Sequence, residues 1–305
     1  MTNEQYLKNL QTPAGKVDVI LDTDAYNEID DQYAIAYLIK NPQKLNVVGL
    51  TAAPYSFMGV EAKTGMLNSF DEIIHILELM DRNDLKDRVF KGSEGYLENE
   101  ETPVISDAAR FMAEKSREYS PENPLYIVAI GAITNVASAL LLEPKMKENT
   151  VIVWLGGHAV HLSKTDEYNM RQDVAGARVV FDSGVPLVQM PCGGVVSAFI
   201  LTKEELIEHF KGKNPICNYL YEHTAEAAES YAKGKTWSRV IWDVTAVAWL
   251  LNDNKRFMVD KIIPAPIPEY DNTYSFDESR HKMAYAIFIH RDALINDLIT
   301  KLTED

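Results

Sequence analysis

The chain has 305 residues, of which 46% are hydrophobic and 25% charged, as in an ordinary globular protein. Its formal net charge of −15, with no cluster of Lys and Arg, argues against a nucleic-acid partner, which needs a basic surface. No segment approaches the roughly 20 apolar residues of a membrane helix, and the N-terminus lacks the apolar core of a signal peptide. We therefore expect no membrane partner. Cys192 and Cys217 fit no metal or redox spacing, so we expect free thiols in a reducing compartment and a cytoplasmic location.

Short apolar runs alternate with helical patterns along the chain. The predicted strands are residues 16–22, 45–53, 125–131, 150–157 and 186–191. The predicted helices are residues 29–41, 60–80, 107–119, 134–144 and 173–184, and we expect a more helical C-terminal part from residue 202 to residue 252. This alternation predicts one α/β domain over residues 1–305, with a mostly parallel, Rossmann-like sheet and helices on both faces.

Ligands of such sheets bind beyond the carboxyl ends of the strands. Asp22, Thr134 and Gly156 each lie close to the end of a different predicted strand. We therefore expect these three segments to meet at one edge of the sheet.

The segment LDTDAYNEIDDQYAIAYL, residues 21–38, crowds acidic side chains at the end of the first predicted strand. Like charges at close range repel, so their concentration needs a reason. If the following helix begins near residue 29, Asp31 shares a face with its apolar stripe, near the N-terminus where negative charge is favoured. Asp30 would then point elsewhere. This pattern suits Asp24 and Asp31 to hold a hard cation while Asp30 faces a ligand.

Other interpretations of the acidic segment are weaker. A helix cap with a solvated face needs one Asp or Asn, not four carboxylates. An EF-hand loop counted from Asp22 would have Gly at its sixth position and Glu at its twelfth, where this chain has Asn27 and Tyr33. A phosphatase with an Asp nucleophile also begins with D-x-D, but usually carries Thr or Val where Tyr26 stands.

The acidic segment resembles the N-terminal signature of the nucleoside hydrolases, D-x-D-P-G-x-D-D, although it is two residues longer and lacks the Pro-Gly. Three later segments resemble the same family in the same order, namely GAITNVA, WLGGHAVHLSKTDEYNMRQDVAGARVVFDSG and IWDVTAVA. The similarity runs from about residue 17 to about residue 250. The chain is identified as a divergent member of this family, similar to the inosine-uridine preferring enzymes.

The resemblance implies the nucleoside hydrolase fold and calcium-dependent hydrolysis of the N-glycosidic bond of a ribonucleoside, giving ribose and a free base. It implies a Ca²⁺ held by the side chains of Asp24, Asp31 and Asp243 and by the backbone carbonyl of Thr134, with Asp30 as the general base that takes a proton from water. A homodimer or homotetramer is the expected assembly.

The expected substrate contacts involve five side chains, of which Glu167, Tyr168 and Asn169 are implied by the resemblance. Glu167 and Asn169 would hold the ribose hydroxyls, and Tyr168 would pack against the sugar. Asn27 and Trp242 complete the expected substrate-binding set. An ordinary acidic turn is the alternative interpretation of residues 166–169.

The half of the site that would recognise the base departs from the family pattern. Trp242 replaces the His that often precedes the last metal Asp, and an indole can stack on a base but cannot act as a general acid. His158 and His161 form a weak zinc pattern, and of the two we expect His161 to assist the leaving group.

Two alternatives to the hydrolase function are a ribose- or nucleoside-binding relative without turnover and a metal-dependent phosphohydrolase. The latter is disfavoured because the chain has no Gly-rich phosphate loop with a Lys.

Overall fold

The strands of the protein are defined by a computed structural model that describes residues 1–304. They are β1 (Val17–Thr23), β2 (Leu45–Ala52), β3 (Val89–Phe90), β4 (Leu125–Ala129), β5 (Thr150–Leu155), β6 (Leu187–Met190), β7 (Ile200–Thr202), β8 (Ser238–Val240), β9 (Met258–Pro264), β10 (Ile267–Pro268), β11 (Tyr274–Ser275) and β12 (Lys282–Ile289). The five strands predicted from sequence correspond to β1, β2, β4, β5 and β6.

Helices connect and cover these strands. They are α1 (Asn3–Asn9), α2 (Asp30–Ile39), α3 (Ala62–Leu79), α4 (Asp107–Lys115), α5 (Thr134–Leu142), α6 (Met146–Asn149), α7 (Tyr168–Gln172), α8 (Val174–Asp182), α9 (Lys203–His209), α10 (Pro215–Ala232), α11 (Val244–Leu250) and α12 (Arg291–Thr303). Short 3-10 helices cover Asn83–Arg88, Ser116–Glu118, Val196–Ala198 and Asp253–Lys255. No helix within residues 1–304 has the length and apolar character required to cross a membrane.

One eight-stranded sheet, in the order β3-β2-β1-β4-β5-β6-β12-β9, organises the protein. The neighbouring strands run parallel, except that β9 is antiparallel to β12. The central strand β1 pairs with β2 and β4, and Leu21 lies beside Leu50 on one side and Val128 on the other. The predicted fold class, a mostly parallel α/β sheet, is confirmed.

Helices lie on both faces of the sheet because the side chains of each strand alternate between the faces. On β1, Val19 and Leu21 belong to the hydrophobic core formed with α2, α3, α11 and α12, whereas Ile20 belongs to the core formed with α4, α5 and α8. Strands buried on both faces are continuous apolar runs, which explains why β1, β4 and β5 are visible in the sequence.

The C-terminal part is mainly helical from residue 202 to residue 252, as predicted, and two strands of the main sheet follow beyond that range. It contains helices α9 to α12, but β9 and β12 also extend the main sheet. Strand β12 pairs with β6 on one side and β9 on the other. Its apolar run, residues 283–289, is short, and the periodicity of a short apolar run does not separate a strand from a buried helix.

Candidate active site

A cavity of about 250 Å³ opens at the carboxyl edge of the sheet. Four adjacent parallel strands contribute to it: Asp24 follows β1, Ile130 follows β4, Leu155 ends β5 and Cys192 follows β6. The chain therefore brings together, at this edge, segments that are far apart in the sequence, as expected for a ligand site of a parallel α/β sheet.

All but two of the predicted site residues line this cavity. They are Asp24, Asn27, Asp30, Asp31, Glu167, Tyr168, Asn169, Trp242 and Asp243. Thr134 and His161 are the two that do not. Thr134 is the first residue of α5, is buried, and donates a hydrogen bond from its hydroxyl to Asp173 Oδ2 at 2.5 Å. His161 is exposed in the loop after β5, and His158 lines the cavity in its place.

Three carboxylates form the centre of the acidic cluster. Asp30 and Asp31 begin α2, Asp243 immediately precedes α11, and one oxygen from each lies within 4.8 Å of the others. This differs from the expectation that Asp30 and Asp31 point to different places. Every residue of α2 is buried, since the helix packs against β2, α3, α11 and α12, so burial does not select one face of its first turn.

The cluster is electrostatically unfavourable without a cation. Burial raises the pKa of Asp24, Asp30 and Asp243 well above the ordinary range, and the neighbouring carboxylates raise it further. Burial also raises the pKa of Asp31 to about 7, although the Thr23 hydroxyl donates a hydrogen bond to this carboxylate. Asp24 Oδ2 is buried and has no hydrogen-bond partner within residues 1–304.

These donors fit a hard divalent cation. Carboxylate oxygens are the ligands that Ca²⁺ prefers, and Asp24 Oδ2 is a buried acceptor that a cation would satisfy. Within the described part of the chain, no Lys or Arg side chain lines the cavity to neutralise the carboxylates. Asp24, Asp30, Asp31 and Asp243 are thus the side chains available to hold such an ion.

The unusual pKa values predict how stability depends on pH in the metal-free protein. Burial raises the pKa of Asp22 and Asp31 to about 7, whereas the pKa of an aspartate in an unfolded chain is about 4. Between these values the folded state binds more protons than the unfolded state, so the free energy of unfolding falls as the pH rises. We expect the Tm in EDTA to decrease from pH 4 to pH 7, and excess Ca²⁺ to reduce this decrease. A Tm in EDTA that rises over this range would contradict the prediction.

The segment after β5 holds its polar side chains with backbone hydrogen bonds. Glu167 caps α7: its carboxylate accepts from the backbone N–H groups of Gly157 at 2.8 Å, Asn169 at 2.9 Å and Met170 at 3.0 Å. Asn169 Nδ2 donates to the carbonyls of Ile130 and Leu155, which leaves its Oδ1 free of these bonds. Glu167 therefore forms an acidic turn and also lines the cavity.

Tyr168 and Asn27 are joined across the mouth of the cavity. The Tyr168 hydroxyl lies 3.1 Å from Asn27 Oδ1 and 3.1 Å from the Ser56 carbonyl, and its ring meets Phe57 edge to face. Trp242 is half-buried and lines the same cavity. The mouth thus combines aromatic surfaces with amide groups, which suits a planar ligand with polar edges.

Sequence reasoning missed several lining residues. Glu28, His158, Asp166 and Cys192 line the cavity but were not assigned to the site. Glu28 and Asp166 belong to acidic segments that the sequence did single out, and Cys192 follows a predicted strand, which is a positional signal. Arg239 lies behind Glu28 and donates to its carboxylate at 3.2 Å.

Known proteins resemble this chain over most of its length. The family model described as inosine-uridine preferring nucleoside hydrolase matches residues 19–287. The non-specific ribonucleoside hydrolase RihC of Salmonella schwarzengrund is 27% identical over 258 residues, which are 78% of this chain and 79% of that protein.

Solved structures are similar as well. A plant nucleoside hydrolase, the PpNRh1 enzyme, superimposes with a TM-score of 0.75 at 20% identity, over 95% of this chain and 99% of that one. A purine-preferring ribonucleoside hydrolase from Gardnerella vaginalis has a TM-score of 0.74 at 18% identity, over 94% and 98% of the two chains. At these identities the structures confirm the fold, and the family match confirms the resemblance seen in the sequence motifs. The chain therefore belongs to the inosine-uridine preferring nucleoside hydrolase family and is an enzyme that hydrolyses ribonucleosides.

Proposed function

We propose that the protein is a calcium-dependent N-ribohydrolase whose active site is the cavity at the carboxyl edge of the sheet. The observation that carries this proposal is the buried group Asp30, Asp31 and Asp243, whose oxygens lie within 4.8 Å of one another. Such a group is stable in ionised form only beside a cation. Asp24, Asp31 and Asp243 would hold Ca²⁺, together with the Thr134 carbonyl that the sequence resemblance suggests.

A bound Ca²⁺ would polarise water and bind sugar hydroxyls. Asp30 accepts a proton from the attacking water while the oxygen of that water adds to C1′ of the ribose. The bond between C1′ and the base nitrogen breaks, and its electron pair leaves with the base. Asn169 Oδ1 accepts a hydrogen bond from a ribose hydroxyl, and the carboxylates stabilise the positive charge that develops on the sugar.

Trp242, Tyr168 and Asn27 bind the other end of the substrate in this proposal. The indole of Trp242 stacks on the base, since a planar aromatic ring offers the apolar area that a nucleobase needs. Tyr168 and Asn27, which are already hydrogen-bonded to each other, close the mouth over the sugar.

A reducing-sugar assay tests the proposal. Protein stripped with EDTA and then reloaded with Ca²⁺ or Mg²⁺ is incubated with purine, pyrimidine and nicotinamide ribosides. We expect ribose release that Ca²⁺ restores better than Mg²⁺. A protein that binds ribosides but releases no ribose would be a binding relative, and release of phosphate from phosphorylated substrates would indicate a phosphohydrolase.

Three further predictions concern the whole protein. The single eight-stranded sheet supports one domain over residues 1–305. A homodimer or homotetramer and a cytoplasmic location stay predictions from the sequence. Light scattering of the purified chain measures its mass in solution and tests the expected assembly.

A further inference from the structure

His158 occupies a place in the cavity that neither the sequence motifs nor the proposed mechanism uses. It lies in the loop directly after β5, is half-buried and lines the cavity together with Trp242 and Glu167. His161, which the sequence favoured as the group that assists the leaving base, is exposed and outside the cavity.

The backbone of the neighbouring loop determines which ring nitrogen of His158 carries a proton. The N–H of Gly193 donates a hydrogen bond to His158 Nδ1 at 3.0 Å. A nitrogen that accepts a hydrogen bond carries no proton, so the neutral ring has its N–H at Nε2. Nε2 has no hydrogen-bond partner among residues 1–304 and is not sealed from the solvent.

The position of the ring is built into the fold. The loops after β5 and β6 are joined by backbone hydrogen bonds from the Cys192 N–H to the Gly157 carbonyl at 2.8 Å and from the Ala159 N–H to the Gly193 carbonyl at 2.9 Å. A Cβ at Gly193 would lie 2.8 Å from Nδ1 of His158, so only glycine lets the backbone approach the ring in this way. The imidazole is therefore preorganised.

Charge complementarity indicates what this donor recognises. The ribose hydroxyls are met by carboxylate and amide oxygens, whereas the departing base is the part of the substrate that gains negative charge. In a cavity lined by carboxylates, an N–H donor matches the acceptor atoms of the base and not the positively charged sugar. Trp242 can stack on the base, but stacking does not neutralise this charge.

We propose that His158 binds the departing base through a hydrogen bond from Nε2 and acts as a neutral donor. This inference rests on the proposed function and adds a catalytic residue to it. The bond between C1′ and the base nitrogen breaks with its electron pair on the base, and the Nε2–H hydrogen bond stabilises that negative charge. The proton stays on His158, the attacking water gives its proton to Asp30, and the released base takes a proton from solvent. Transfer from an imidazolium is disfavoured because Nδ1 already accepts from Gly193.

The test compares leaving groups and variants. Initial rates for inosine and uridine are measured beside those for 4-nitrophenyl β-D-ribofuranoside, whose leaving group departs as a stable anion. We expect His158→Ala to lower kcat for the two nucleosides about 100-fold and to leave the nitrophenyl substrate unchanged. His158→Gln, which keeps an N–H donor, recovers part of the loss. His290→Ala, at an exposed histidine outside the cavity, is the matched control.

Each contrary result has a distinct meaning. An equal loss on all three substrates shows a structural role and overturns the proposal. A Gln variant no better than Ala also overturns it, since a neutral donor is rescued by an amide and a general acid is not. If His161→Ala, and not His158→Ala, loses activity on the nucleosides alone, then His161 has this role and the proposal is overturned. If the wild-type protein releases ribose from no substrate, the proposed function fails, and this inference with it. Thermal unfolding of both His158 variants monitors folding.

Discussion

Asp30→Asn is expected to lower kcat for ribose release by a factor of about 10²–10⁴, the usual contribution of a general base. The substitution keeps the size of the side chain and one oxygen, but the amide has no lone pair basic enough to accept the proton of water. Since Asp31 and Asp243 remain, the variant keeps its binding of Ca²⁺ and of a substrate. Its Kd values should therefore change much less than kcat.

Two measurements check this result. Ribose release gives kcat, and calorimetric titration gives the affinity for Ca²⁺. Asp84→Asn, at an exposed carboxylate that is paired with Arg82 and does not line the cavity, serves as the matched control. If Asp30→Asn loses calcium binding in parallel with turnover, then Asp30 is a ligand of the ion and the assignment of the base is wrong.

Asp243→Asn is expected to change stability in opposite directions with and without calcium. In EDTA the variant should be more stable than the wild-type protein, because it lacks a buried carboxyl group whose pKa is raised well above the ordinary range by burial and by the neighbouring Asp30, Asp31 and Asp24. In excess Ca²⁺ it should be less stable. An ion that binds only the folded state and is present at 100 times its Kd adds about 2.7 kcal/mol to the free energy of unfolding. This contribution shrinks as the Kd rises.

Thermal unfolding of both proteins, each in EDTA and in Ca²⁺, measures the effect. The diagnostic result is a variant with a higher Tm than the wild-type protein in EDTA and a lower Tm in Ca²⁺. A general packing defect would instead lower the Tm under both conditions. A decrease of the same size with and without the ion would mean that Asp243 supports the fold and not the metal. For the Asp84→Asn control, the Tm difference from the wild-type protein should be the same with and without calcium.

Much of the fold follows from local patterns. The strands β1, β2, β4, β5 and β6 were predictable because a strand covered on both faces is a continuous apolar run. The alternation of such runs with helical segments implies parallel strands and crossovers. Strand β12 was missed since its short apolar run fits a buried helix equally well, and β9 because it pairs with β12 at the edge of the sheet.

The acidic residues of the site were also predictable, but their arrangement was not. Asp24, Asp30 and Asp31 lie close together in the sequence and next to a strand end, which is a local signal. Whether Asp30 faces away from Asp31 depends on what surrounds α2, and this helix is buried along its whole length. The spacing within one helix therefore could not separate the two carboxylates.

The alternation of the first strands and helices, the parallel sheet, the acidic segment and the family were determined by the sequence, because each is a matter of spacing and composition within a short stretch of chain. The tertiary structure decided that His158 and not His161 lines the cavity, and that Asp243 meets Asp30 and Asp31. The His158 ring is oriented by the Gly193 backbone of a different loop, and Asp243 comes from the position just before α11, far along the chain. Contacts of this kind depend on how loops and helices pack against the sheet, which no local pattern encodes.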